Sequence, residues 1–130
     1  MAAGLATTTL ANAILNHLAG GTAWTQPSGI YIKLHTGNPG AAGTSAAAAV
    51  TTRSQATFGS AASGALALTG TNPSWTMTAT ETITHVSAWD ASTSGNFLWS
   101  AQLSASKAVV DGDTLTLTSL GFSLTPLASA

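Results

Sequence analysis

Three histidines are the side chains of this 130-residue sequence best suited to metal binding or proton transfer: His17, His35 and His85. A zinc site needs three or four ligands that converge, usually at close sequence spacing. These histidines stand far apart in sequence, and Glu81 is the one carboxylate near any of them. We therefore predict no metal site and no cofactor, and we interpret the histidines as surface or hydrogen-bonded structural residues.

The four acidic residues are the candidates for calcium binding or carboxylate catalysis. Asp111 and Asp113 flank Gly112, but calcium takes roughly six to eight oxygen ligands, so this triplet predicts a tight turn instead. A glycosidase needs two opposed carboxylates, which so few acids hardly supply. Serines are abundant enough for a Ser-His-Asp triad, yet Ser63-Gly64 lies in a low-complexity stretch and no G-x-S-x-G elbow occurs. We predict that the protein is not an enzyme.

The four tryptophans, Trp24, Trp75, Trp89 and Trp99, allow two interpretations. A tryptophan in an alternating strand is more often part of the core than of a binding surface. Exposed tryptophans together with Asn96 would instead form a carbohydrate-binding module. We favour the core and keep the sugar-binding module as the alternative from another functional class.

The composition excludes several partners. Charged residues make up 5% of the chain, against about 25% in ordinary soluble proteins. Three Lys plus Arg cannot neutralise a run of phosphates, so we predict no nucleic-acid partner. The sequence contains no cysteine and no run of roughly 20 apolar residues, and its first residues lack the positive region expected of a signal peptide, so we predict no membrane partner. A low net charge favours association, although a GC-rich genome would also explain so much Ala, Thr and Gly.

The C-terminal third, residues 83–124, has the clearest strand pattern. Three runs alternate apolar and polar residues, which is typical of strands with one buried face. Asp90–Asn96 separates the first two runs and Asp111–Asp113 the last two, and both have the composition of hairpin turns. This pattern predicts a three-stranded antiparallel meander.

The preceding residues predict one helix and several short strands. A helix is expected over residues 5–19, capped by Thr7, Thr8 or Thr9 and ended by Gly20-Gly21. Further strands are expected at Ile30–His35, 66–68 and 75–77. No helix separates these strands, so the sheets should be antiparallel.

The predicted architecture is one mainly β domain over residues 1–130. It is an antiparallel β-sandwich, jelly-roll or Greek-key like, with one short N-terminal helix or arm within residues 1–21. The Ala/Ser/Gly-rich stretch 41–64 is either a disordered insert or, as we prefer, an extended arm that contacts a neighbouring subunit.

Two sets of apolar and basic residues follow from this architecture. The candidate core residues are Ile32, Leu34, Trp89, Trp99, Leu115 and Leu117. The candidate subunit contacts are Leu10, Ile14, Val50, Arg53 and Phe58.

Two patches of the sequence resemble a family of small structural proteins of tailed double-stranded DNA bacteriophages. The first is IKLHTGNPGAAGT at residues 32–44, followed by Arg53. The second is ITHVSAWD at residues 83–90, followed by GNFLW at 95–99, Leu103 and DGDTL at 111–115. Members of this family are commonly labelled tail fibre or minor structural proteins, and some are placed on the capsid as decoration.

The resemblance implies a non-enzymatic virion protein with no catalytic residues. Its partners would be the major capsid protein or other virion proteins, and copies of itself, with a trimer favoured by closed symmetry. It would reside in the host cytoplasm before assembly and on the outer particle surface afterwards. Within this class we favour capsid decoration over a tail fibre or minor tail protein, because one compact domain has little room for both a fibre shaft and a receptor tip.

Overall fold

The computed structural model describes residues 3–124, and within them eight β-strands and one short α-helix follow one another. Residues 1–2 and 125–130 of the predicted 1–130 domain lie outside the described residues. All strand pairs are antiparallel, which confirms the predicted fold class. The elements are a π-helical turn at Thr7–Ala11, α1 at Asn12–Leu18, β1 at Ile30–His35, β2 at Ser54–Ala56, β3 at Ala65–Ala67, β4 at Ser74–Thr76, β5 at Glu81–Trp89, β6 at Phe97–Val109, β7 at Thr114–Thr116 and β8 at Gly121–Ser123.

One layer of the fold is a four-stranded sheet in the order β2-β1-β5-β6. The register of β1 on β5 pairs Ile32 with Ala88 and Leu34 with Val86, so these apolar residues share one buried face. A register shift after Ile83 brings this odd-numbered residue into the same core as the even-numbered Val86. Without that irregularity, strict alternation would point Ile83 to the opposite face.

The second layer consists of two short strand pairs, β4–β7 and β3–β8. Trp75 lies opposite Leu115, and Leu66 lies opposite Phe122. Side chains from these pairs pack against the four-stranded sheet in one hydrophobic cluster. The two layers therefore form an antiparallel sandwich.

The predicted meander is correct for β5 and β6 but wrong for the third strand. β7 pairs with β4, in the other layer, and not with β6. The backbone N–H of Met77 donates to the carbonyl of Asp113, and the N–H of Gly112 donates to the carbonyl of Met77. These bonds attach the turn after β6 to the end of β4. Apolar–polar alternation identifies a strand but does not specify its partner.

The N-terminal helix is shorter than predicted and begins differently. It starts as a π-helical turn after Ala6, with no side-chain cap, so the prediction of a threonine N-cap is wrong. The hydroxyl of Thr9 donates instead to the carbonyl of Phe97 and ties the turn to β6. Gly20 has a φ of 76° just beyond the last turn, as expected for a helix end.

Residues 41–64 fold back along the sheet. The N–H of Thr36 donates to the carbonyl of Ala46 at 2.8 Å, and the N–H of Ala48 donates to the carbonyl of Leu34 at 3.1 Å. β2 then continues the sheet beside β1. Ala48 and Val50 consequently lie in the hydrophobic core.

Among residues 3–124, no helix has the length and apolar character needed to span a membrane.

Candidate functional site

The two sequence patches meet in the four-stranded sheet, where β1 lies beside β5. Antiparallel pairing of β1 with β5 places residues of the first patch beside residues of the second. We call the group formed there the motif cluster. It consists of His35, Gly43, Arg53, Ser87, Trp89 and Phe97.

A buried chain of hydrogen bonds crosses the motif cluster. His35 Nδ1 lies 2.8 Å from the carbonyl oxygen of Ser45, which can only accept, so Nδ1 carries the proton. His35 Nε2 lies 2.7 Å from Ser87 Oγ and therefore accepts the hydroxyl proton of the serine. Ser87 Oγ in turn accepts from Trp89 Nε1 at 2.8 Å. Each polar group buried here has a partner, so the network holds β1, β5 and the loop after β1 together.

Burial determines the charge state of His35. Desolvation lowers the pKa of His35 below its ordinary value, and the nearby positive charges of Lys33 and His85 lower it further. The hydrogen bonds that the His35 ring makes to the backbone of Ser45 and Ala46 raise the pKa but are not sufficient to reverse the shift. The ring is consequently neutral at neutral pH, as its role as acceptor for Ser87 requires.

Ser87 and His35 have the hydroxyl-to-imidazole distance of a nucleophile and its general base. Both residues are 0% exposed, so a substrate has no path to the hydroxyl oxygen. That oxygen also accepts from Trp89, and the other ring nitrogen faces a carbonyl instead of a carboxylate. The arrangement stabilises the fold and is not set up for nucleophilic attack.

Arg53 fastens the turn between β5 and β6. Its Nη1 donates to the carbonyls of Ala91 at 2.8 Å and Ser94 at 2.6 Å, and its guanidinium lies 4.0 Å from the ring centre of Trp89. Desolvation lowers the pKa of Arg53, while the charge of Asp90 raises it. This predicted subunit contact therefore makes its contacts within its own chain.

The Asp90–Asn96 turn is also held by its own end residues. Asn96 donates from its backbone N–H to Asp90 Oδ1 at 2.7 Å and from its side-chain amide to Asp90 Oδ2 at 2.8 Å. These bonds close the hairpin that the sequence predicts at this position.

Gly43 joins the first patch to the second by close packing. Its φ is +73°, and a Cβ placed there would lie 2.6 Å from Phe97 Cγ. The Phe97 ring packs in turn on Trp89, with 5.6 Å between ring centroids. A side chain at position 43 would be both strained and in collision, so the glycine is required by the geometry.

A family model described as "Podophage GP4 fiber I protein gp80" matches residues 5–125, which cover both patches and most of the chain. The chain belongs to this family. The predicted resemblance to structural proteins of tailed phages is thereby confirmed. A search of curated proteins finds no match.

The remaining predicted contact residues of this gp80-family chain lie at different depths. Leu10 and Val50 are buried in the core of their own chain. Ile14 and Phe58 are half-buried against that core, and the ring centroids of Phe58 and Trp99 are 6.2 Å apart. The structure therefore does not bring the predicted contacts together on one surface.

The predicted core residues contribute unequally. Ile32, Leu34 and Trp99 lie in the main cluster, and Trp89 lies in a second cluster with Ala6 and Phe97. The two others, Leu115 and Leu117, are half-buried against the main cluster.

The other candidate chemical groups are dispersed. Within the described part of the chain, no three His, Cys, Asp or Glu residues lie close enough to hold a metal ion. His17 Nδ1 accepts from the backbone N–H of Trp24. Asp113 accepts from the N–H of Val110 in a turn where Gly112 has a φ of +90°, which matches the predicted tight turn.

An open groove beside the motif cluster brings together Trp24 and Asn96, which the sequence offered for a sugar-binding module, and the amides Asn12, Asn16 and Gln26, which sequence reasoning missed. Its walls are one face of α1, the loop 22–28 and the β5–β6 turn, and its volume is about 870 Å³. We call it the polar groove. Trp24 is 37% exposed there, whereas Trp75, Trp89 and Trp99 are buried. One feature of the sequence points to this groove: Trp24 is the one tryptophan that lies outside every predicted strand.

Proposed function

We propose that this protein is a non-enzymatic structural subunit of a phage fibre. The observation that carries the proposal is the match of residues 5–125 to a family described as a fibre protein. The buried contacts of the motif cluster support it, because His35, Ser87 and Trp89 satisfy one another and act on the fold. A virion subunit needs a fold that resists opening more than it needs reactive side chains.

Capsid decoration, which the sequence analysis favours, is the second candidate location. The chain has seven Lys, Arg, Asp and Glu residues in total, so an interface on either the fibre or the capsid would desolvate few charges. Both locations therefore fit the surface chemistry, and the description of the family gives the fibre its priority.

We assign contacts with other copies, or with other virion proteins, to α1. No residue of α1 is fully buried, and Leu15 and Leu18 are 60% and 81% exposed. These leucines stand three residues apart and so lie on neighbouring positions of the helix surface. Covering them in an assembly would remove apolar surface from water. In the closed trimer expected from the sequence, the α1 helix of each of the three copies would be buried to the same extent.

Labelling of purified virions tests the location directly. Antibodies raised against the isolated chain and marked with gold should decorate the fibres in electron micrographs. Gold spread over the capsid shell would assign the protein to decoration. If peptides of the chain are detected in the virion sample but no gold binds, the chain must be located by imaging at higher resolution. If the chain is absent from purified virions, both locations are contradicted.

A further inference from the structure

We infer that the polar groove is a binding site for a neutral saccharide. This role goes beyond the structural role proposed above and does not depend on where the protein lies in the virion. The juxtaposition that carries it is an exposed indole, Trp24, facing a helix wall of side-chain amides and a fixed carboxylate, Asp90.

The helix wall offers unused hydrogen-bonding groups. Asn12 and Asn16 are four residues apart, line the groove from α1 and are exposed. Gln26 lines it from the opposite loop. None of these three amides has a hydrogen-bond partner among residues 3–124. Each amide offers both a donor and an acceptor, which is the pairing that a sugar hydroxyl can satisfy in either direction.

The opposite side of the groove is held in place by its own bonds. The Asp90 carboxylate is oriented by two bonds from Asn96 and keeps further acceptor capacity for a ligand hydroxyl. The backbone of Trp24 is held by the bond from its N–H to His17. Because the Asp90 carboxylate is already oriented, it loses little conformational freedom when it binds a ligand hydroxyl.

The indole supplies an apolar face for the sugar ring. Trp24 is an amphipathic residue with a large flat surface, and it is the one aromatic side chain among the described residues that line the groove. The C–H groups on one face of a pyranose can pack on such a ring while its hydroxyls reach the amides. Leu98 contributes a further apolar lining.

The charge of the lining selects the class of ligand. Asp90 is the one ionisable side chain among the described residues that line the groove. In the lining formed by the described residues, an anionic saccharide or a nucleic acid would meet a carboxylate and no cation, since Arg53 acts on Asp90 from outside that lining, and this disfavours both ligands. A neutral saccharide carries no charge that the Asp90 carboxylate would repel, and its hydroxyls can donate to that carboxylate.

An extended peptide fits the groove less well. Strand addition needs an unpaired strand edge. The edge of β6 next to the groove is already occupied, since the N–H of Ala6 donates to the carbonyl of Leu98 and the N–H of Ser100 donates to the carbonyl of Gly4. The remaining walls are a helix, a loop and a closed turn.

The indole N–H signals in a nitrogen–proton NMR spectrum give a direct readout. The four tryptophans should give four signals, and the signal lost in Trp24→Phe identifies Trp24. The probes are maltoheptaose, chitotriose and a galacto-oligosaccharide, each titrated to about 10 mM. This range detects weak binding, because a dissociation constant of about 10 mM corresponds to a free energy of binding of only about −3 kcal/mol. At least one probe should shift Trp24 and leave the buried Trp75 and Trp99 unchanged.

Three variants separate binding from folding. Trp24→Ala and Asn16→Ala should each weaken the affinity about fivefold to tenfold, which corresponds to about 1–1.4 kcal/mol. Val110→Ala is the control, because it trims an exposed apolar side chain that neither lines the groove nor belongs to the surface assigned to assembly. Its affinity should equal that of the parent. Melting curves confirm that each variant is folded.

The proposal is overturned if none of the three probes shifts the Trp24 signal. It is also overturned if the shifts survive unchanged in Asn16→Ala and in Trp24→Ala, as followed by backbone amides around Asp90. Heparin fragments serve as the charged comparison and should cause no shift. A shift with heparin alone would assign the groove to an anion and contradict the inference. Each of these outcomes leaves the virion location open to its own test.

Discussion

The motif cluster and α1 differ in where their side chains find partners. In the motif cluster, His35 and Ser87 are 0% exposed and form hydrogen bonds within the chain. In α1, no side chain is fully buried, and Leu18 is 81% exposed. The residues with the most distinctive sequence pattern therefore maintain the fold. The region with an ordinary sequence presents the surface that remains free for other molecules.

This difference changes how the sequence motif should be interpreted. Arg53 and Gly43 have the residue types expected of a contact or a binding loop, yet Arg53 binds the β5–β6 turn and Gly43 packs on Phe97. A motif shared by a structural family can encode the closure of one hairpin. We expect substitutions in the motif cluster to change the free energy of unfolding, and those in α1 to change association.

The largest effect is expected for Trp89→Ala. The change empties a buried aromatic site, leaves Ser87 without its donor and removes the surface under Arg53. We expect the free energy of unfolding to fall by about 3–5 kcal/mol in a urea titration. Trp24→Ala is the matched control at an exposed site and should cost less than about 1.5 kcal/mol. Equal losses for the two variants would contradict the contrast.

The next effect is expected for Gly43→Ala compared with Gly70→Ala. Both glycines have positive φ, so alanine should cost about 1–2 kcal/mol at either position. Position 70 has open space around a new Cβ, whereas position 43 meets the Phe97 ring. Overpacking should add about 1–3 kcal/mol at position 43 alone. Thermal melting of the two variants measures the difference between their losses of stability. Equal losses would mean that the Phe97 ring moves aside without an energetic cost.

A smaller effect is expected from acid. The folded-state pKa of His35 is lowered, so the unfolded chain binds a proton more readily than the folded chain as the pH falls through about 6.5. Stability is therefore lost as the pH falls, and the loss is complete only below the lowered folded-state pKa. The free energy of unfolding changes by at most about 1.4 kcal/mol per pH unit.

Urea titrations between pH 7.5 and pH 5 measure this slope. His35→Gln should flatten it, whereas the control His17→Gln should keep it, because His17 is exposed on α1. A slope that persists in His35→Gln would assign the acid sensitivity to other groups.

The smallest effect on stability is expected for Leu15→Ser combined with Leu18→Ser. Both side chains are exposed, so each change should alter the free energy of unfolding by only about 0.5 kcal/mol. Self-association in sedimentation experiments should nevertheless weaken. Val110→Ser removes an exposed apolar side chain at the other end of β6 and should leave association unchanged. If Val110→Ser weakened association as much, the interface would not lie at α1.

The sequence predicted features that depend on local chemistry. Ile30–His35 is found as β1 with the expected bounds, and the Asp90–Asn96 turn closes β5 on β6. It did not predict that β7 pairs with β4, because several strands share the same alternation and pairing is decided by long-range packing. Nor did it predict the link from His35 to Ser87, residues 52 positions apart. The polar groove was missed because its walls come from three distant segments.

Hydrogen exchange, measured on the free protein and on the same chain within purified virions, tests the contrast most directly. In the free protein, the amides of β5 around Ser87 should exchange only through global unfolding, and those of α1 should exchange much faster. Within virions, α1 should gain protection while β5 remains unchanged. If α1 exchanged equally fast in both states, or if β5 gained its protection only on assembly, the assignment of the motif cluster to folding and of α1 to assembly would be contradicted.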